Sequence, residues 1–223
     1  MERTFIQRLI VIGFIFIFPV AFLSSADEMI PPDILNAAQE GINIFLKDRR
    51  VTDLEPFGFS SRKDVDDAVL GDWFQVFTVH PDNLLRDDAS QDLHSMAVPT
   101  NLWKFLIMTG GKATILLTVN LVNDKWTPSS IGAAGLAKEL SEILKKWPGS
   151  AGYKYRFITI FQAKSHLVEV SLGEKIIGII PLISARMAMG LDKRDFDPMD
   201  LYNSEDVITR IRPVVRKNIE MGN

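Results

Sequence analysis

Cysteine is absent from this 223-residue chain, and histidine is scarce, with His80, His94 and His166 alone. Without a thiol there is no disulfide framework, no thiolate for a metal and no cysteine to carry a lipid anchor. The fold must therefore hold by packing. Asn-x-Ser/Thr is also missing, so the sequence offers no N-glycosylation acceptor. Neither sign of charge dominates, since 25 Lys and Arg face 28 Asp and Glu for a net −3. That balance gives no long-range attraction to nucleic acid or to an anionic bilayer.

Long apolar runs are confined to one place. Leu9 to Leu23 follows Arg3 and Arg8 and precedes Ser24-Ser25-Ala26. Small residues then occupy the −3 and −1 positions of a cut before Asp27, the layout of a secretory signal peptide. The run is shorter than the ~20 residues that span a hydrocarbon core, and Gly13 and Pro19 weaken its helix. Residues 1–26 are accordingly read as a cleaved signal, not a retained anchor. The mature protein is expected to be exported, to a bacterial periplasm or beyond, with no stable membrane insertion after cleavage. The missing cysteine and glycosylation acceptor fit a bacterial envelope better than a eukaryotic secretory route.

Periodicity divides the remainder. Ile34, Leu35, Ala38, Ile42, Phe45 and Leu46 form one stripe, predicting a helix over 32–47 with Gly41 packed closely on a sheet. A short helical turn is expected near Asp64 to Leu70, then a strand over 73–79. Residues 81–101 read as an irregular polar connection, with Pro81 and Pro99 as turn signals. Strands are predicted over 103–108, 113–122 and 125–127, joined by turns at Gly110-Gly111 and Asn123-Asp124. A second helix over 131–147 takes Ser129 or Ser130 as its cap, and Gly132 and Gly135 suggest close backbone approach. Strands over 153–161, 167–171 and 175–180 follow. The run Phe157 to Phe161 breaks alternation, as a bulge or burial on both faces would require. Beyond residue 190 a charged tail carries a last helix capped by Asn203 or Ser204, which Pro213 should kink or end.

Strands that succeed one another through short turns favour an α+β fold. The expectation is an antiparallel meander with two main helices packed on it and a C-terminal helix, over a globular region 27–190 and a tail 191–223. In element order the layout resembles cystatin-like and PepSY-type modules, where one helix lies across a curled antiparallel sheet. That resemblance would allow two halves, 27–128 and 129–190.

Reaction signatures are few and incomplete. There is no G-x-S-x-G elbow and no H-E-x-x-H. Ser60-Ser61-Arg62-Lys63 has the S-x-x-K spacing that sets a lysine one turn from a serine nucleophile, but its companion elements are missing. Asp64, Asp66, Asp67 and Asp72, and later Asp192, Asp195, Asp197 and Asp200, lack a calcium-loop register; capping and solvation explain them. Gly110-Gly111-Lys112 is a hairpin turn and not a phosphate loop. His94 could pair with Asp87, Asp88 or Asp92. No motif calls for a cofactor or metal, and no catalytic residue is nominated.

What remains is aromatic and aliphatic surface. Trp73, Trp103, Trp126 and Trp147 fall on predicted regular elements, where packing is the default, while an outward one would mark a binding platform. The apolar segment Ile176 to Ile183 reads as a buried last strand or a covered edge, with Pro181 at its end. The best reading is a non-catalytic exported protein that binds a polypeptide or another envelope component through a sheet face or edge. Two alternatives stand beside it. One is an extracytoplasmic hydrolase assembled across loops, with His94, Asp87 and Asp88 as first suspects. The other is a protease-inhibitor or prosegment-like module with residues 81–101 protruding.

Overall fold

Alternating apolar residues and turn residues with positive φ build the sheet that organises the chain. The computed structural model describes residues 30–47, 54, 57–86, 92–192 and 196–222; the 1–26 segment, Asp87, Asp88 and Asp195 lie outside them. Among the described residues the strands are β1 (Val69–Val79), β2 (Ala97–Thr109), β3 (Lys112–Val122), β4 (Lys125–Gly132), β5 (Tyr153–Ile160), β6 (Ser165–Leu172) and β7 (Lys175–Pro181). They form one sheet in the order β4-β3-β2-β1-β5-β6-β7. Neighbours are antiparallel except β1 and β5, which are parallel. The fold is α+β with a mostly antiparallel sheet. No helix of the described residues is long and apolar enough to cross a membrane.

The helices sort onto two faces. α1 (Pro32–Ile42) continues as a π-helical turn to Lys47. Gly41 sets it on β3 and β4, since an added Cβ would lie 2.8 Å from Leu117 and from Pro128. α5 (Ala134–Lys146) covers the opposite face, where Ala137, Leu140 and Ile143 pack with Phe74, Val76, Leu106, Leu116, Phe157, Val168 and Val170. After the short α6 (Ile183–Ala188), α7 (Ser204–Glu220) returns to the α1 side and buries Val207, Ile208, Ile211 and Val215 against Val79, Ile158, Ile160 and Leu167. Phe157 and Ile158 thus face different cores, and Phe157 to Ile160 are all buried. Burial on both faces is what breaks their alternation.

Five expectations need correction. The first strand begins at Val69, after the short α2 (Arg62–Asp66), because Val69 and Leu70 already pair with Met108 and Ile107. Residues 81–101 are not simply irregular: α3 (Pro81–Leu85) and α4 (Leu93–Met96) bury Leu84 and Leu93, and β2 starts at Ala97. Ser129 and Ser130 do not cap a helix. They extend β4, with Ser130 opposite Thr118, and α5 starts after Ala133 in the left-handed region without a side-chain cap. Gly132 and Gly135 have open space about their Cβ positions, so close approach is not their role; Gly132 adopts φ +149, which side chains disfavour. Pro213 neither ends α7 nor divides it, because buried residues anchor the helix on both sides of it.

Candidate functional site

At the β4 end of the sheet a groove of about 290 Å³ opens between α1 and the β3–β4 hairpin. Asn123 and Asp124 both take positive φ, the geometry that tight hairpins select. The turn brings Asp124, Lys125 and Trp126 towards Asp33, Asn36, Ala37 and Glu40 of α1. Asp33, Asn36 and Glu40 share one exposed stripe at helical spacing, and Ala37 beneath them contributes only a methyl. Trp126 is half-buried opposite Leu121. Three carboxylates against one ammonium make the groove acidic, with an aromatic wall. It can take a basic side chain whose stem packs on the indole.

β4 is the last strand on this side of the sheet. The far edge differs, since Ile179 of β7 exchanges both main-chain hydrogen bonds with Tyr202, at 2.9 and 2.8 Å. Lys125 and Thr127 to Ser130 flank Pro128 on β4, a composition that discourages unselective edge pairing.

A second constellation lies on the α1 and α7 side. His94 Nδ1 is 2.8 Å from Glu169 Oε1, and the Glu169 side chain is only 2% exposed. Arg156, opposite Glu169 in the β5–β6 ladder, donates from Nη1 to the His94 carbonyl at 3.1 Å. Its Nε lies 3.9 Å from the same carboxylate oxygen, and its guanidinium sits 5.1 Å over the Phe77 ring. Arg156 Nη1 also lies 3.2 Å from His94 Nδ1, so that nitrogen stands between the Glu169 carboxylate and the Arg156 guanidinium. Among the described residues Glu169 Oε2 is buried with no hydrogen-bond partner, a costly state for a carboxylate oxygen.

The carboxylate that meets His94 is therefore Glu169. Asp92 instead caps α4, accepting from His94 N–H at 3.2 Å and Ser95 N–H at 3.1 Å, and Asp87 and Asp88 lie outside the described residues. Glu169 and Arg156 carry no local signal, because strand register sets them opposite each other and α4 then brings His94 to them. The other candidates take structural parts. Asp64 accepts from Ser60 and Ser61 N–H at 2.8 and 2.9 Å, and Ser61 returns the bond in a capping box. Lys63 lies on that short, exposed helix. His80 accepts from Asp82 N–H at the start of α3. Asp200 receives Arg186 at 2.7 Å, and Gly110-Gly111 turns the β2–β3 hairpin with positive φ. Trp73 packs at a tilt against Trp103 with ring centres 5.3 Å apart, and Trp147 donates to the Pro198 carbonyl at 2.8 Å. Trp126 remains as the tryptophan beside a groove.

Two ionisable groups near α5 serve the fold. Burial raises the pKa of Glu139, against the opposing effect of the Ile183 N–H it accepts at 2.7 Å. Burial and then the charge of Asp72 push Tyr155 up to about 12, and its hydroxyl donates to the Trp147 carbonyl. No family model, curated protein or solved structure matches this chain.

Proposed function

We propose that this is an exported, non-catalytic protein that binds an extended polypeptide along the outer edge of β4, with a basic side chain of the ligand in the adjoining groove. The observation that carries this reading is the juxtaposition of an end strand with the acidic, Trp126-walled groove. Main-chain bonds along a strand edge give affinity without reading sequence, and the neighbouring pocket supplies preference. Export rests on the charge, apolar run and small residues of 1–26. By element order alone, we also read α1 with β1–β4 and α5 with β5–β7 as two halves similar to cystatin-like or PepSY-type modules.

One preparation tests both parts. Protein recovered from the envelope fraction is expected to begin at Asp27. It is also expected to bind peptides of alternating polar and apolar residues with a central lysine, quenching Trp126 emission. Trp126→Ala should weaken binding at least tenfold, about 1.4 kcal/mol, with the circular dichroism unchanged. Equal binding by that variant, or by peptides with glutamate in place of lysine, would count against the groove.

The Glu169–His94 pair favours a second reading, an extracytoplasmic hydrolase with His94 as general base. Turnover of ester or peptide substrates that His94→Gln abolishes would support it. Identical rates in both proteins would remove it.

A further inference from the structure

Lys104 lies on the α5 face of the sheet, opposite Phe74 of β1 and Thr118 of β3. Its Nζ is 3.4 Å from Thr118 Oγ1 and 5.9 Å from the centre of the Phe157 ring. Among the described residues no carboxylate lies within ion-pair distance of this ammonium. Glu139 of the overlying α5 is engaged by Ile183 N–H. One hydroxyl and one ring face replace only part of an ammonium's hydration. Burial accordingly holds Lys104 below the usual lysine value.

His166 of β6 borders the same aromatic floor. Its ring centre is 5.3 Å from that of Phe157, which is fully buried. Nδ1 is 3.2 Å from Thr159 Oγ1, and the main-chain N–H of His166 donates to Ser184 Oγ at 3.0 Å. Burial and then the Lys104 charge push its pKa down to about 4, so the ring is neutral at neutral pH. When the Thr159 hydroxyl donates to Nδ1, the single ring proton resides on Nε2.

From this arrangement the geometry points to a binding site for an organic carboxylate at Lys104 and His166. One carboxylate oxygen pairs with the Lys104 ammonium and the other accepts from His166 Nε2–H, while the ligand's carbon skeleton packs against the half-buried Leu102 on the same face. A monoanion with two acceptor oxygens matches one cation and one neutral donor. Phosphate sites draw on several main-chain N–H groups, and here strand pairing engages those groups. The β4 groove lies on the α1 side, so this site and the polypeptide reading stand or fall separately.

Benzoate is the probe, titrated into the full chain at constant ionic strength with chloride as the comparison anion. The His166 ring resonances in NMR are expected to shift saturably, and the imidazole titration midpoint to rise from about 4. Lys104→Met should bind at least tenfold more weakly. A second measurement needs no variant: the Lys104 Cε resonance of the unaltered protein should titrate at higher pH once benzoate is bound. Failure of either resonance to respond, an equal response to chloride, or unchanged affinity in a folded Lys104→Met protein would overturn the proposal.

Discussion

Glycine at position 41 gives up to ~1 kcal/mol of helix stability relative to alanine, and the contact it permits shows why. A Cβ there would meet Leu117 Cδ1 and Pro128 Cβ at 2.8 Å. Leu117 is fully buried and Pro128 is rigid, so neither yields freely. Overpacking of this kind costs about 1–3 kcal/mol and outweighs the gain in helix propensity. Gly41→Ala is therefore expected to lower the unfolding free energy by about 1 kcal/mol, and Gly41→Val by more, measured by urea denaturation. A more stable Gly41→Ala protein would mean that α1 can lift from β3 and β4 at little cost. This glycine was legible in sequence because it interrupts an apolar helical stripe. Gly132 and Gly135 offered the same signal for another reason, a strand end and an exposed first turn. His94 and Glu169 were not legible as a pair, since 75 residues separate them.

At the scale of elements, periodicity located most strands and all three long helices, and local signals misled where tertiary pairing outweighed them. Pro99 reads as a loop residue, yet it lies in β2 opposite Phe77, next to a register irregularity in the β1 pairing. The β3 ladder begins only at Leu102, so the missing Pro99 N–H falls where β2 has no second partner, a position proline tolerates. Ser129 and Ser130 carry a helix-cap signature, but the β3–β4 ladder continues through them to Gly132. Several ladder bonds outweigh a single cap of about 1 kcal/mol. Pro213 removes one hydrogen bond from α7, a defect of about 3 kcal/mol in an isolated helix. Ile211 and Val215, both buried, hold the turns on either side of it. Strand pairing settles the first two cases and side-chain burial the third, and only the folded chain supplies either.

For the whole molecule, element order could be read along the chain but strand order could not, because nothing local says where a strand lands after a crossover. The chain leaves β4 at one edge, crosses through α5, and inserts β5 beside β1, where three residue pairs from Val76↔Phe157 to Thr78↔Thr159 join the two meanders in parallel. That joint is short, and one apolar cluster runs across it: Leu140 and Ile143 of α5 belong to the cluster that holds Phe74 and Leu116 of the first meander and Phe157 and Val168 of the second. Residues 27–128 made alone would expose Phe74, Val76, Leu106 and Leu116, which the intact chain buries beneath α5. At roughly 1.5–3 kcal/mol for each large apolar side chain, the loss is about 6–12 kcal/mol, comparable to the whole stability of a typical domain. Residues 129–223 would lose the β1 partner of β5 and leave Phe157 without Val76 across the joint. Neither fragment is therefore expected to show a cooperative thermal transition by circular dichroism, whereas the intact chain should show one. A cooperative transition in 27–128 alone would mean that α1 and its side of the sheet form a sufficient core. The parallel joint would then connect two domains, with α5 adding little to the first.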